Sequence, residues 1–202
     1  RRLGLVAEAA RRDLLVVEDD YDSEFRYDVA PLPSLAGLDR QRVVHLRTTS
    51  KAVSPGLRLG WLVAPADLVT EMAERRAASH DVPSWPVQRA WWSMMREGYA
   101  DKLVRAARRV YRARGDRVSR ALAGHGRLGG PVAGMYLTIH LPPEVVAAVR
   151  EDAARAGFDV PSLAETSRSS AGSGLVVGFG GVTDDELDRA LDVLTAALER
   201  RS

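Results

Sequence analysis

The 202-residue chain contains no cysteine. That excludes a disulfide scaffold and a thiolate metal site, and it makes a reducing cytoplasm the natural compartment. No apolar run approaches the roughly 20 residues that span a bilayer. The opening Arg1-Arg2-Leu3-Gly4-Leu5 has neither the apolar core nor the small-residue cleavage site of a signal peptide. It also lacks an initiator methionine and starts directly in a helical pattern, as a chain beginning inside a domain would. Excess charge is missing too. Lys+Arg number 29 and Asp+Glu 27, a formal net charge of +2, so charge alone makes no case for nucleic acid. The four histidines, His45, His80, His125 and His140, show no metal-ligand spacing, and no metal site is expected.

What is present reads as an α/β protein with one large domain or two small ones. Residues 1–12 form an amphipathic pattern. Leu14-Leu15-Val16-Val17 then ends in Glu18-Asp19-Asp20; a continuous apolar run closed by polar residues suits a parallel strand buried on both faces. Pro31, Pro33 and Gly37 mark a loop. Further strands are expected at 43–46 and 59–63, with Ser50-Lys51 in the turn between them.

Helices follow at 67–80, at 86–97 with Trp91 and Trp92, and over 101–122. The last carries an apolar stripe of Leu103, Ala107, Val110, Tyr111, Val118 and Leu122 opposite Arg105, Arg108, Arg112 and Arg120. The arginine face is expected to be solvated, and the tryptophan pair to pack between domains or at a dimer interface. A strand at 135–141, a helix at 143–156, a mobile Ser/Gly-rich loop at 167–174 and a strand at 175–179 come next. Thr183-Asp184-Asp185-Glu186 is a capping box opening a final helix with the stripe Leu187, Leu191, Leu194, Leu198. Gly124-His125-Gly126-Arg127-Leu128-Gly129 matches a dinucleotide-loop pattern, but it follows a helix and precedes a strand, the reverse of the required context, and reads as a turn. The expected division is 1–98 and 99–202, the long helix belonging to the second part.

Three features sit at the C-terminal ends of strands, where open α/β sheets bind ligands: Asp19-x-Tyr21, Thr48-x-Ser50-Lys51 and Arg58. A lysine in a Ser/Thr turn, seven residues before an arginine, can share one anion with that turn. Hydroxyls and a guanidinium are what a phosphate monoester requires. A carboxylate on the preceding strand suits a pyridinium nitrogen, and a nearby tyrosine hydroxyl suits a ring phenolate. Thr48 and Ser50 could instead merely shape the turn. Asp20, Asp22 and Glu24 read as loop and capping residues.

Val17-Glu18-Asp19-Asp20-Tyr21-Asp22-Ser23-Glu24-Phe25-Arg26-Tyr27, Pro31-Leu32-Pro33-Ser34-Leu35 and Thr48-Thr49-Ser50-Lys51-Ala52-Val53-Ser54-Pro55-Gly56-Leu57-Arg58-Leu59-Gly60 resemble the MocR-type regulators, which join a GntR-like winged helix-turn-helix to an aminotransferase-like domain. Gln88, Glu97-Gly98, Arg108-Arg109-Val110-Tyr111 and Arg114-Gly115-Asp116 extend the resemblance over nearly the whole chain. It implies a fold-type-I architecture, comprising the C-terminal part of a large domain and a small domain, with pyridoxal 5'-phosphate (PLP) as cofactor. It further implies Lys51 as the Schiff-base lysine, Asp19 as partner of the ring nitrogen, Tyr21 as partner of the ring oxygen, Thr48, Ser50 and Arg58 as phosphate contacts, and a homodimer.

Aminotransferases of this fold carry an arginine on the late strand for the substrate carboxylate. Here Val176 occupies that place, and the nearest arginine is Arg168. The leading expectation is therefore an effector-sensing domain whose ligand is PLP itself, alone or with an amine or amino acid, and whose DNA binding resides in a module outside this chain. The alternative is a catalytic aminotransferase with Lys51 moving the proton. A remnant without activity is the third reading.

Overall fold

A computed structural model describes residues 1–27, 33–166 and 172–201. The chain divides into two compact units, Arg1–Glu24 with Ala30–Ala107, and Phe25–Val29 with Arg108–Ser202.

In the first unit, α1 (Arg2–Arg11) leads into β1 (Val16–Asp19), followed by the one-turn α2 (Leu35–Leu38) and β2 (Val43–Thr48). β1 lies parallel to β2 with Val16 opposite Val43 and Asp19 opposite Leu46. β3 (Gly60–Val63) runs antiparallel to β2 on its other side. The strand therefore begins two residues later than the apolar run suggests, and takes in Glu18 and Asp19. Nor is β1 buried on both faces: Leu14, Leu15 and Val17 are 52%, 56% and 63% exposed. Among the described residues β1 is a sheet edge, and α1 and α2 cover one face of it through Leu35, Ala36, Val43, Val6 and Val16. Gly37, expected in a loop, lies inside α2, where its N–H donates to the Ser34 hydroxyl at 3.1 Å.

Glu18 fastens those helices to the sheet. Its carboxylate accepts from the N–H groups of Leu35 (2.8 Å) and Ala36 (3.4 Å) at the start of α2 and from Arg2 of α1 (2.6 Å). Burial works to raise the Glu18 carboxyl. The Leu35 N–H, Arg2, His45 and the Ala36 N–H together outweigh it and hold the group below the ordinary glutamate value.

α3 (Ala66–Ala78) and α4 (Trp85–Arg96) complete this unit with the first residues of α5 (Tyr99–Leu122). Trp91 packs with Leu59 and Ala100 in a small core, its ring 5.9 Å from that of Trp61. Trp92 is partly exposed between the guanidinium groups of Arg89 and Arg96, 4.1 and 4.5 Å from its ring centre. Trp91 thus packs against residues of its own unit.

The second unit is an antiparallel sheet of β4 (Arg127–Ala133), β5 (Tyr136–His140) and β6 (Gly174–Gly178), in that order. α6 (Pro143–Arg155) and α8 (Asp184–Glu199) supply the apolar residues that pack with it, and the short α7 (Leu163–Thr166) precedes β6. The α8 stripe Leu187, Leu191, Leu194, Leu198 is buried as its period requires, in one core with Val118, Leu122, Ile139, Val149 and Phe179. The capping box is present: Thr183 Oγ1 accepts from Glu186 N at 3.2 Å, and the Glu186 carboxylate accepts from Thr183 N at 2.7 Å. Phe25 is fully buried here, edge-on to Tyr111 at 5.1 Å, and Tyr27 donates to the Gly134 carbonyl at 2.7 Å. Asp152 of α6 binds Arg200 and Arg201, each at 2.9 Å, beyond the end of α8.

The Gly124–Gly129 motif makes a turn with Gly124 at φ 92° and then enters β4, a strand that its glycines and Pro131 hide from periodicity. On α5 the stripe is buried only at its C-terminal end; Leu103 and Val110 are exposed, as are Arg105, Arg112 and Arg120. Residues 167–171 of the expected Ser/Gly-rich loop, including Arg168, and Pro31 lie outside the described residues. No helix among the described residues is long and apolar enough to cross a membrane.

Two outcomes follow from this packing. Leu194→Ala, opening a cavity in the large core, should lower the unfolding free energy by roughly 2–5 kcal/mol in denaturant titrations. Leu3→Ala at a largely exposed position should stay within about 0.5 kcal/mol, and equal losses at the two sites would refute the assignment of core and surface. For Glu18 the sign is set by its depressed folded-state pKa. The stabilisation is fully present above the unfolded value of about 4.3 and is lost as pH falls through the folded value. Glu18→Gln should thus unfold earlier than the parent at pH 7, with the gap in denaturant midpoint closing in acid; a gap that widens in acid would contradict this.

Candidate cofactor site

The β2–β3 connection is built by threonine and serine hydroxyls. Thr49, buried, takes the Leu59 carbonyl with both its N–H and its Oγ1, each at 3.0 Å, which closes the loop at its base. Its own carbonyl accepts from Val53 N (2.9 Å) and Ser54 N (3.3 Å), winding the chain through Ser50 and Lys51. The Ser54 hydroxyl then caps a short 3-10 turn, Pro55–Leu57, by accepting from Gly56 N at 3.1 Å. The turn ends at Arg58 in the left-handed region, φ 50° and ψ 37°. A residue with a Cβ pays roughly 1–2 kcal/mol for that conformation. Gly60, in register with Thr48, follows, and a Cβ there would come within 2.9 Å of the Arg47 carbonyl oxygen, so the close strand approach requires glycine.

This loop carries four of the six residues singled out by sequence. Thr48 Oγ1 donates to Ser50 Oγ at 2.9 Å and accepts from Ser50 N at 3.1 Å, which sets the two hydroxyls side by side. Lys51 is exposed, and its Nζ lies 6.0 Å from the centre of the Tyr21 ring. Tyr21 and Asp19 come from the end of the neighbouring parallel strand. Register places Asp19 on the same sheet face as Leu46, and hence as Thr48. The structure therefore hydrogen-bonds Thr48 to Ser50, sets the Lys51 ammonium 6.0 Å from the centre of the Tyr21 ring, and brings Asp19 and Arg58 to the same strand ends.

The acids in β1 and just after it have different fates. Glu18 is consumed by α1, α2 and His45. Asp20 accepts from Ser23 N at 3.2 Å and lies 3.4 Å from Arg47, so its capping role holds, and Glu24 pairs with Arg47 rather than serving only a loop. Asp19 and Arg58 are exposed, and among the described residues neither side chain makes an ion pair or hydrogen bond. An acid, a guanidinium, two hydroxyls and an amine around one pair of strand ends fit an aromatic ring nitrogen, a phosphate and an aldehyde.

Sequence reasoning passed over His45 and Arg47, which occupy the opposite face of the same strand. The available signal was period two: Glu18 and Asp20 alternate with Asp19, as His45 and Arg47 do with Leu46 and Thr48. Val176 lies in β6, opposite Thr138. Among the described residues, no group of three or more His, Asp or Glu side chains is arranged to hold a metal ion.

No protein-family model matches the chain. The HTH-type transcriptional regulator TauR of Rhodobacter capsulatus is 39% identical over 138 residues, covering 64% of this chain and 28% of its own length. The probable rhizopine catabolism regulatory protein MocR of Rhizobium meliloti is 37% identical over 114 residues, 56% of this chain and 23% of its own. The HTH-type pyridoxine biosynthesis transcriptional regulator PdxR of Corynebacterium glutamicum is 31% identical over 203 residues, 98% of this chain and 44% of its own. The chain thus spans less than half the length of these curated relatives. In fold it matches a kynurenine aminotransferase of Pyrococcus horikoshii, with a TM-score of 0.85 and 24% identity over 99% of this chain and 51% of that one. The architecture is that of the fold-type-I PLP aminotransferases, and by sequence the chain belongs to the MocR-type regulators, as part of their aminotransferase-like domain.

Proposed function

We propose that the chain is the effector-sensing part of a MocR-type regulator and that it binds PLP at the ends of β1 and β2. The observation that carries the reading is that, among the described residues, Asp19 and Arg58 are left without protein partners, beside a lysine that stands near Tyr21. When bound, PLP supplies an aldehyde for a lysine and a protonated ring that withdraws electrons. Lys51 is the amine that would hold the aldehyde. Asp19 would keep the ring nitrogen protonated, and the Tyr21 hydroxyl would meet the ring oxygen. Thr48, Ser50 and Arg58 would receive the phosphate, the guanidinium as a fixed fork and the hydroxyls as neutral donors. All six residues fall within the proposed cofactor-holding part, 1–98, with 99–202 as the small domain.

Retention for sensing rather than turnover is supported by Val176. A valine in mid-β6 offers no charge to an amino acid's carboxylate, so the effector would be PLP itself or an adduct with an amine. The names of the relatives support DNA contact through a helix-turn-helix module; a cytoplasmic homodimer as the working form is proposed on the family resemblance alone.

In the intact protein, PLP should produce a visible absorbance band that Lys51→Ala loses. Arg58→Ala should weaken PLP binding by roughly 10- to 150-fold, the equivalent of a lost charge-assisted hydrogen bond of about 1.5–3 kcal/mol. Asp19→Asn, which keeps shape and removes charge, should weaken it less. A full band in Lys51→Ala would end the reading; steady amino transfer from common L-amino acids would favour the catalytic alternative over the sensor.

A further inference from the structure

The inward face of the β1–β2 pair holds an ionic cluster that the proposed site does not use. His45, 8% exposed and in register with Glu18, stands between two acids: its Nδ1 is 2.9 Å from Glu18 Oε2 and its Nε2 3.6 Å from Asp20 Oδ2. Arg47, two residues further along the same face, reaches Asp20 at 3.4 Å and pairs with Glu24. Arg2 completes the group from α1. Glu18 and Asp20 are the two residues that flank Asp19, and Arg47 immediately precedes Thr48. The last ladder bond of β1, Asp20 N to the Leu46 carbonyl at 3.0 Å, lies among these side chains.

We propose that His45 and Arg47 are positioning residues for the cofactor site: by gripping the acids on either side of Asp19 from behind, they fix the height and direction of the Asp19 carboxylate relative to Thr48 and Lys51. The inference rests on the reading of Asp19 and Thr48 given above. The physical need is plain. Asp19 is the final residue of a four-residue strand, and strand ends open at little cost in free energy unless held. Among the described residues, backbone bonding holds β1 here by a single bond beyond Asp19. The side-chain ties add two anchors on the face away from the ligand, where they cannot obstruct it. They also couple the two strand ends, so that Asp19 and Thr48 keep one spacing.

The test uses the intact protein, with PLP as the probe and amide hydrogen exchange as a second readout that needs no cofactor. Arg47→Gln should speed exchange at Asp20 N–H by on the order of tenfold while leaving Val16 N–H, bonded to the Arg42 carbonyl at 2.8 Å at the far end of the strand, unchanged. PLP affinity should fall by a similar factor, since small misplacements of a binding group carry losses of this order or more. Arg47→Lys should recover part of both. His45→Gln, which keeps a donor, should show a smaller version of each effect, and it serves where His45→Leu does not fold. Uniform loss of protection along β1 would reduce the pair to general stability and overturn the inference. So would faster exchange at Asp20 with PLP affinity intact, while parental PLP binding leaves the functional reading standing. A parent protein that binds no PLP at all would instead sink that reading and the inference with it.

Discussion

The parallel register of β1 on β2 is the constraint on which the rest depends. With Val16 opposite Val43 and Asp19 opposite Leu46, side-chain alternation sends Glu18 and Asp20 to the face under α1 and α2 and Asp19 to the other. A slip of one residue would exchange these roles. Asp19 would turn into the helix-covered face, and Glu18 would lose the N–H groups of α2. The apolar contacts that enforce the register are few, Val16 and Val43 with Leu35, Ala36 and Val6. The charged ties of Glu18 to Arg2 and to the N–H groups of α2 are made in this register as well.

The same economy of charge separates structure from site. Arg2, Arg47, Glu18, Asp20 and Glu24 satisfy one another inside the first unit. The β2–β3 loop meanwhile spends its hydroxyls on its own shape at Thr49 and Ser54, and keeps those of Thr48 and Ser50 paired with each other. Arg58 holds a left-handed backbone conformation that glycine would hold more cheaply.

Much of this was legible in the sequence. The α8 stripe and its capping box follow from period and from Thr183 and Glu186 alone, because a long amphipathic helix over a large core leaves few alternatives. The gathering of Thr48, Ser50, Lys51 and Arg58 at one pair of strand ends was legible too, since they fall in the short connection between two apolar runs. Less legible was whatever depended on neighbours. β4 carries glycines and a proline that no periodicity rewards. Among the described residues β1 leaves Val17 exposed, which a local apolar run does not encode. His45 looked like a scattered histidine until register set it between Glu18 and Asp20. Trp91 needed Trp61 and Leu59, distant in sequence, to reveal its core.

The central claim is that one amine of this chain receives PLP. The sequence contains two lysines, Lys51 and Lys102, the second on α5 with its ammonium 4.9 Å over the Tyr99 ring. Borohydride reduction of the PLP-treated intact protein, followed by peptide mass mapping, reads the attachment directly, with Lys102 as the internal control. The account predicts a reduced phosphopyridoxyl group on Lys51 at near-stoichiometric yield and none on Lys102; equal labelling of the two lysines, or an unlabelled Lys51, would contradict it.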